Sequence, residues 1–156
     1  MNEIAVTVVK PQIVLGLRKR GGYEEIGVLL PRLCESAIGN NIEITGPPIF
    51  LCHETSVEDS MRADREKNAD LEVAIPISKS VEDYEDFKCY ELPGGKMVRA
   101  LHRGPYETCP PTYERLFAWL ADNGKWPVGP IREVYLNDPS EVPPEEILYE
   151  IYVPIE

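Results

Sequence analysis

The sequence predicts an α+β fold built from two β-β-α-β-β copies: a mainly antiparallel sheet with two helices on one face. The chain repeats itself. Moved along by 83 positions, Arg20-Gly21-Gly22-Tyr23-Glu24 falls on Arg103-Gly104-Pro105-Tyr106-Glu107, Leu33 on Leu116, Asn40 on Asn123, and Gly46-Pro47 on Gly129-Pro130. Moved by 78, Glu72-Val73-Ala74-Ile75-Pro76-Ile77 falls on Glu150-Ile151-Tyr152-Val153-Pro154-Ile155. The change of offset is the kind of length difference that loops absorb. Within each copy, β-branched runs surround one segment of helical apolar spacing. The copies are expected at 1–79 and 84–156 of one domain, and a seam between related halves is a natural place for a ligand.

The elements follow in order. Ile4 to Val9 is apolar and β-branched, hence a strand, broken by Lys10-Pro11. Ile13 to Arg18 is a second strand. Residues 23–38 carry Ile26, Leu29, Leu30, Leu33 and Ala37 at helical spacing, with Pro31 inside and Gly39-Asn40-Asn41 as the stop. Ile49 to Cys52 is a strand, residues 54–70 are a long polar connection, and Leu71 to Ile77 is the fourth strand. The second copy gives strands at Phe87 to Leu92 and Met97 to His102, with the turn Pro93-Gly94-Gly95 between them. A helix over 110–122 opens with two prolines and carries Tyr113, Leu116, Phe117 and Leu120 as its apolar stripe. Strands at Ile131 to Leu136 and Leu148 to Ile155 complete it.

Composition narrows the function. With 16 Lys and Arg against 27 Asp and Glu, the net charge of −11 argues against binding nucleic acid or an anionic membrane, both of which need a basic face. It suits cationic small molecules or basic protein surfaces. Cys34, Cys52, Cys89 and Cys109 form no C-x-x-C and no zinc spacing, and the first three sit in apolar segments as buried free thiols do. A reduced, cytoplasmic setting is expected, without signal peptide or spanning helix. His53 and His102 form no H-E-x-x-H and no Cys/His cluster, so neither a metal nor another cofactor is expected. No phosphate loop and no G-x-S-x-G elbow is present.

Several motifs occur together in a fixed order. Glu91-Leu92-Pro93-Gly94-Gly95-Lys96 is followed by His102-Arg103-Gly104-Pro105-Tyr106, then by Gly129-Pro130-Ile131-Arg132-Glu133-Val134-Tyr135-Leu136-Asn137-Asp138-Pro139, then by Glu150 to Ile155. In these the chain resembles the GyrI-like (gyrase-inhibitor-like) small-molecule-binding family, a fold that also forms the effector-binding domain of AraC-type and MerR-type, BmrR-like, transcription regulators. The resemblance covers nearly the whole chain and is densest from 91 to 155. It implies a pseudo-two-fold with both helices on one side and an apolar groove on the other. It also implies bulky, often cationic ligands met by a buried glutamate, which by its place in the motif is Glu133.

Strand parity is compatible with that role. Ile131, Glu133 and Tyr135 share one face, while Val134 and Leu136 share the other, which suits packing beneath the helix. The offset of 83 puts Phe50 at the position of Glu133 and Cys52 at that of Tyr135. In the last strand Ile151 and Val153 are expected in the core, so Glu150 and Tyr152 face the other way. The candidate ligand-binding residues are therefore Glu133, Tyr135, Phe50, Tyr152, Cys52 and Glu150. Glu150, repeated by Glu72, also reads as a structural anchor for its strand, the reading favoured here because buried polar groups are usually satisfied ones.

Three functions fit. The leading one is a stand-alone binding module for amphipathic, cationic small molecules, in effector sensing or sequestration; a strand beginning so near Met1 leaves no room for a helix-turn-helix before it. The second is a protein–protein inhibitor of DNA gyrase that uses the acidic surface. The third is a hydrolase of strained electrophiles, with Glu133 as general base beside Tyr135 or Tyr152.

Overall fold

The computed structural model describes residues 4–54, 56–105, 110–138 and 141–156. Tyr106, Glu107, Cys109 and Pro139, singled out in the sequence, lie outside the described residues. The elements are β1 (Ile4–Val9), β2 (Gln12–Gly21), α1 (Ile26–Gly39), β3 (Ile49–Cys52), α2 (Val57–Arg65), β4 (Ala69–Pro76), β5 (Lys88–Leu92), β6 (Gly95–Arg103), α3 (Pro110–Asp122), β7 (Ile131–Tyr135) and β8 (Leu148–Pro154). All observed strand pairs are antiparallel, and the α+β class holds. No helix among the described residues is long and apolar enough to cross a membrane.

One element departs from expectation. The polar stretch 54–70 contains α2. Ser56 caps it by accepting the N–H of Asp59, Glu58 and Asp59 stand in its first turn, and Arg62 and Arg65 stand in its last. Capping and charge placed along the helix dipole hold this helix, neither of which leaves an apolar period to read.

The chain forms two compact units. One is Lys10–Gly94, with strand order β3-β4-β2-β5. The other is the chain up to Val9 together with Gly95–Glu156, with strand order β1-β6-β8-β7. Each unit is thus one sequence copy with its first strand exchanged: β1 pairs with β6, and β5 pairs with β2.

The duplication holds to the level of single hydrogen bonds. Val14 faces Pro76 as Met97 faces Pro154, and Ile49 faces Ala74 as Arg132 faces Tyr152. The N–H of Thr45 bonds to the carbonyl of Pro76 at 2.9 Å, and that of Val128 to Pro154 at 3.0 Å. α1 and α3 end in the same left-handed cap. Asn41 has φ 58° and Gly124 φ 64°; beyond them Ile42 N–H returns to Ala37 at 2.9 Å and Lys125 N–H to Leu120 at 2.8 Å.

α1 and α3 each lie on one sheet face. In the Lys10–Gly94 unit, Leu29, Leu33 and Ala37 of α1 are buried with Leu15, Leu17, Phe50, Leu71, Val73 and Ile75. In the other unit, Leu116 and Leu120 of α3 are buried with Val98, Ala100, Ile151 and Val153. Burial of each such large side chain contributes about 1.5–3 kcal/mol. Of the described cysteines, all free, only Cys52 is buried; Cys34 and Cys89 are half-buried, which corrects the expectation for those two.

Candidate functional site

β7 pairs with β8 in a register that sets Glu133 against Ile151 and Tyr135 against Tyr149. Directly paired residues of an antiparallel ladder point to the same face. Glu133 therefore shares the face of Ile151 and Val153, which packs toward α3, and Tyr113 of α3 donates its phenolic proton to Glu133 Oε2. This corrects the parity reading, which put Val134 and Leu136 under the helix. Leu136 is exposed and Val134 faces Glu150 on the opposite side. Parity groups residues by face, but only the register against a strand of known orientation says which face the helix covers.

Glu133 is 1% exposed. Its carboxylate accepts from Tyr113 at Oε2 and from Tyr135 at Oε1, the latter at 3.1 Å. Among the described residues no Lys, Arg or His forms an ion pair with it. Burial raises its pKa above the usual carboxylate range, and the two phenols hold it down only in part. Rings extend from it on both sides: Tyr113 stacks on Phe117 at 6.3 Å along α3, and on the sheet Tyr135 meets Tyr149 at 5.7 Å and Tyr149 meets His102 at 5.0 Å.

His102 fixes the start of α3. Its Nε2 lies 3.3 Å from the carbonyl of Pro105, which can only accept, so Nε2 carries the proton. Nδ1 then accepts the hydroxyl proton of Thr112 at 2.8 Å. Burial lowers the imidazole pKa, keeping the ring neutral. Thr112 immediately precedes Tyr113, so this pair sets where the phenol emerges.

Glu150 and Tyr152 lie on the opposite face from Glu133. Glu150 accepts from Arg99 Nε and from the hydroxyl of Tyr152 at 3.2 Å. Its counterpart Glu72 is held by His53 Nε2 at 2.6 Å, by the Tyr90 hydroxyl and by Arg18 at 3.8 Å, while Arg18 also grips Asp70 through two bonds of 2.8 and 2.5 Å. Both glutamates thus have a cation beside them. The ring of Tyr90 crosses Gly16 so closely that a Cβ there would lie 2.5 Å from the hydroxyl oxygen.

Phe50 and Cys52 belong to the Lys10–Gly94 unit. Phe50 is fully buried toward α1, with Tyr23 edge-on at 6.0 Å, and Cys52 donates to the Glu54 carbonyl at 3.2 Å. Tyr23 itself donates to Glu54 at 2.6 Å and accepts from Ser60 of α2 at 2.9 Å.

The six sequence candidates therefore divide: Glu133 and Tyr135 come together, Glu150 and Tyr152 form a second group on the other face, and Phe50 and Cys52 are core residues of their unit. Tyr113 was missed as Glu133's partner, and Tyr149 as the ring beside Tyr135. Tyr113 reads as one more apolar-stripe residue, and nothing in the spacing marks its hydroxyl as aimed at a carboxylate. Among the described residues no group of three or more His, Cys, Asp or Glu converges as metal ligands would.

The fold has solved counterparts. The C-terminal domain of EcmrR superposes with a TM-score of 0.87 at 20% identity, over 100% of this chain and 98% of that one. Against EcmrR in its complex with DNA, this chain spans 57% of the longer chain's length. A hydrolase encoded by lin2189 from Listeria innocua aligns with a TM-score of 0.67 at 15% identity, over 99% of this chain and 92% of that one. SAV2435 bound to tetraphenylphosphonium aligns at 0.64 and 11% identity, over 99% and 94%. At these identities the likeness is one of fold. No curated protein matches the chain. Residues 2–156 match the model of the GyrI-like small molecule binding domain, and the chain belongs to that family.

Proposed function

We propose that this chain binds bulky amphipathic cations, with Glu133 as their charge partner, in effector sensing or sequestration. One observation carries the reading: among the described residues Glu133 is a buried carboxylate held by two phenols and no cation, whereas Glu72 and Glu150 each have a cation beside them. An unpaired buried carboxylate is costly and tends to take up a proton instead. A lipophilic cation supplies the missing charge, and the Tyr113, Phe117, Tyr135 and Tyr149 rings offer faces to it, each worth about 0.5–2 kcal/mol. That SAV2435, a protein of this fold, is known bound to tetraphenylphosphonium supports the choice of ligand class.

Fluorescence titration with a lipophilic cationic dye tests the reading. Saturable binding near a micromolar Kd, on the order of −8 kcal/mol, is expected, weakened at least about tenfold by Glu133→Gln. Unchanged affinity in that variant would remove Glu133 as the charge partner.

A second reading is favoured by the same raised pKa. A carboxylate titrating nearer neutrality, hydrogen-bonded to a tyrosine, suits general-base attack of water on a strained electrophile, and one protein of this fold is a hydrolase from Listeria innocua. Product formation from electrophilic probes, abolished in Glu133→Gln, supports it; turnover retained in the variant rules out Glu133 as the base.

A further inference from the structure

β1 lies at the edge of its sheet and pairs on one side only, with β6. Its residues make no hydrogen bond to any described residue beyond that ladder. The outward N–H and C=O groups are therefore open to another strand. Ile4-Ala5-Val6-Thr7-Val8-Val9 carries no charge, and Val6 and Val8 are 47% and 77% exposed. Edge strands are ordinarily guarded by charge, by proline or by a bulge. The register from Ile4 to Val9 is unbroken, so there is no bulge.

The duplication supplies an internal comparison. β5 is the counterpart of β1 and also an edge strand. Where β1 has Ala5 and Val8, β5 has Lys88 and Glu91. One edge carries the guarding charges and its copy does not.

We propose that β1 is a self-association edge, on which a second copy of this chain adds its own β1 antiparallel to the first. The two-fold axis of such a pair stands perpendicular to the sheet, and facing side chains must lie on one face. Facing residues are then both odd or both even in number. An axis at Thr7 meets this condition. It sets Val6 against Val8 of the partner subunit, so that the two exposed valines of each copy cover those of the other, and Ala5 against Val9 of the partner subunit. Within the strand no charge meets a like charge. In a chain of net charge −11, an uncharged strip is where two copies approach with least repulsion. Pro11 lacks an N–H and ends the pairing soon after Val9. An interface this short is weak, with a Kd on the order of tens to hundreds of micromolar.

Sedimentation velocity on the intact protein, from about 5 to about 500 µM, reads the association. The wild type is expected to shift from monomer to dimer over that range. Val6→Lys/Val8→Lys sets lysine against lysine on both sides of the axis and is expected to stay monomeric, with circular dichroism and melting temperature confirming its fold. Glu91→Lys, on the guarded edge, is expected to dimerise as the wild type does. Thr7→Cys gives an independent readout: on the axis it meets its own copy, and mild oxidation should give a disulfide-linked dimer well above the wild-type background, which Ala5→Cys should not. A wild type that is monomeric throughout overturns the proposal. So does a dimer that survives the double lysine substitution, or one that Thr7→Cys fails to trap, either of which would show the copies meeting elsewhere.

Discussion

Tyr113 on α3 donates its phenolic proton to Glu133 on β7, tying the helix to a buried carboxylate that no described cation accompanies. That bond pulls the Glu133 pKa down against the upward push of burial. Tyr113→Phe should therefore move the carboxyl pKa further up, and Tyr135→Phe, which removes the other phenol at 3.1 Å, should move it the same way. Carbon-detected NMR titration of the Glu133 carboxyl measures both. A pKa that falls in either variant contradicts the assignment of the phenols as donors to the anion.

The raised pKa has a sign in stability. Between the ordinary carboxylate pKa and its own elevated one, folded Glu133 holds a proton that the unfolded chain has released. The unfolded state binds fewer protons there, so stability falls as pH rises through that window, by at most about 1.4 kcal/mol per pH unit. His102 acts oppositely, since its lowered pKa makes stability rise with pH between its folded value and the ordinary imidazole one. The difference between wild type and Glu133→Gln isolates the glutamate. Urea unfolding across pH 4 to about 8 should show the variant gaining on the wild type as pH rises, with equal slopes as the contrary outcome.

At Gly16 the Tyr90 ring crosses β2 where a side chain would stand, and its hydroxyl reaches Glu72. A methyl group at position 16 displaces that ring and breaks the bond, so Gly16→Ala should cost about 1–2 kcal/mol. Tyr90→Phe removes the same bond without the clash. In a double-mutant cycle the two costs should be clearly less than additive; full additivity would mean that glycine serves something other than the tyrosine.

The caps of α1 and α3 predict an asymmetric response. Gly124 and Asn41 hold equivalent left-handed positions. Gly124→Ala should destabilise by about 1 kcal/mol, because a side chain without a polar group to bond locally is strained there. Asn41→Gly should be neutral or slightly stabilising, since asparagine already tolerates the conformation. Thermal melts of both variants decide this, and a Gly124→Ala protein as stable as the wild type refutes the shared cap.

Repetition made most of the fold legible. The matches of Asn40 with Asn123 and of Gly46-Pro47 with Gly129-Pro130 mark the same helix caps and strand entries that the structure shows twice. Two features were hidden because neither leaves a pattern in one dimension. α2 is held by the Ser56 cap and its own charges rather than by an apolar stripe, and the exchange of β1 with β5 is a matter of pairing partners that a repeat cannot specify. The candidate site was legible in part. Motif order singled out Glu133 as a buried glutamate, and it is buried, but its face depended on the Glu133–Ile151 register. Tyr113 contributes through a hydroxyl at the end of a side chain whose ring alone satisfies the helix pattern. Glu150 and Glu72 repeat, and each is paired with an arginine, which the repeat alone does not reveal.

The central claim is that Glu133 meets the positive charge of a bound ligand, and calorimetric titration with tetraphenylphosphonium in two buffers of different ionisation enthalpy tests it most directly. A cation beside Glu133 lowers the carboxyl pKa that burial had raised, so wild-type binding should release protons near that pKa, and Glu133→Gln should bind more weakly and release none. Saturable wild-type binding with no proton release at any pH in the titration window, matched in affinity by Glu133→Gln, would contradict the account.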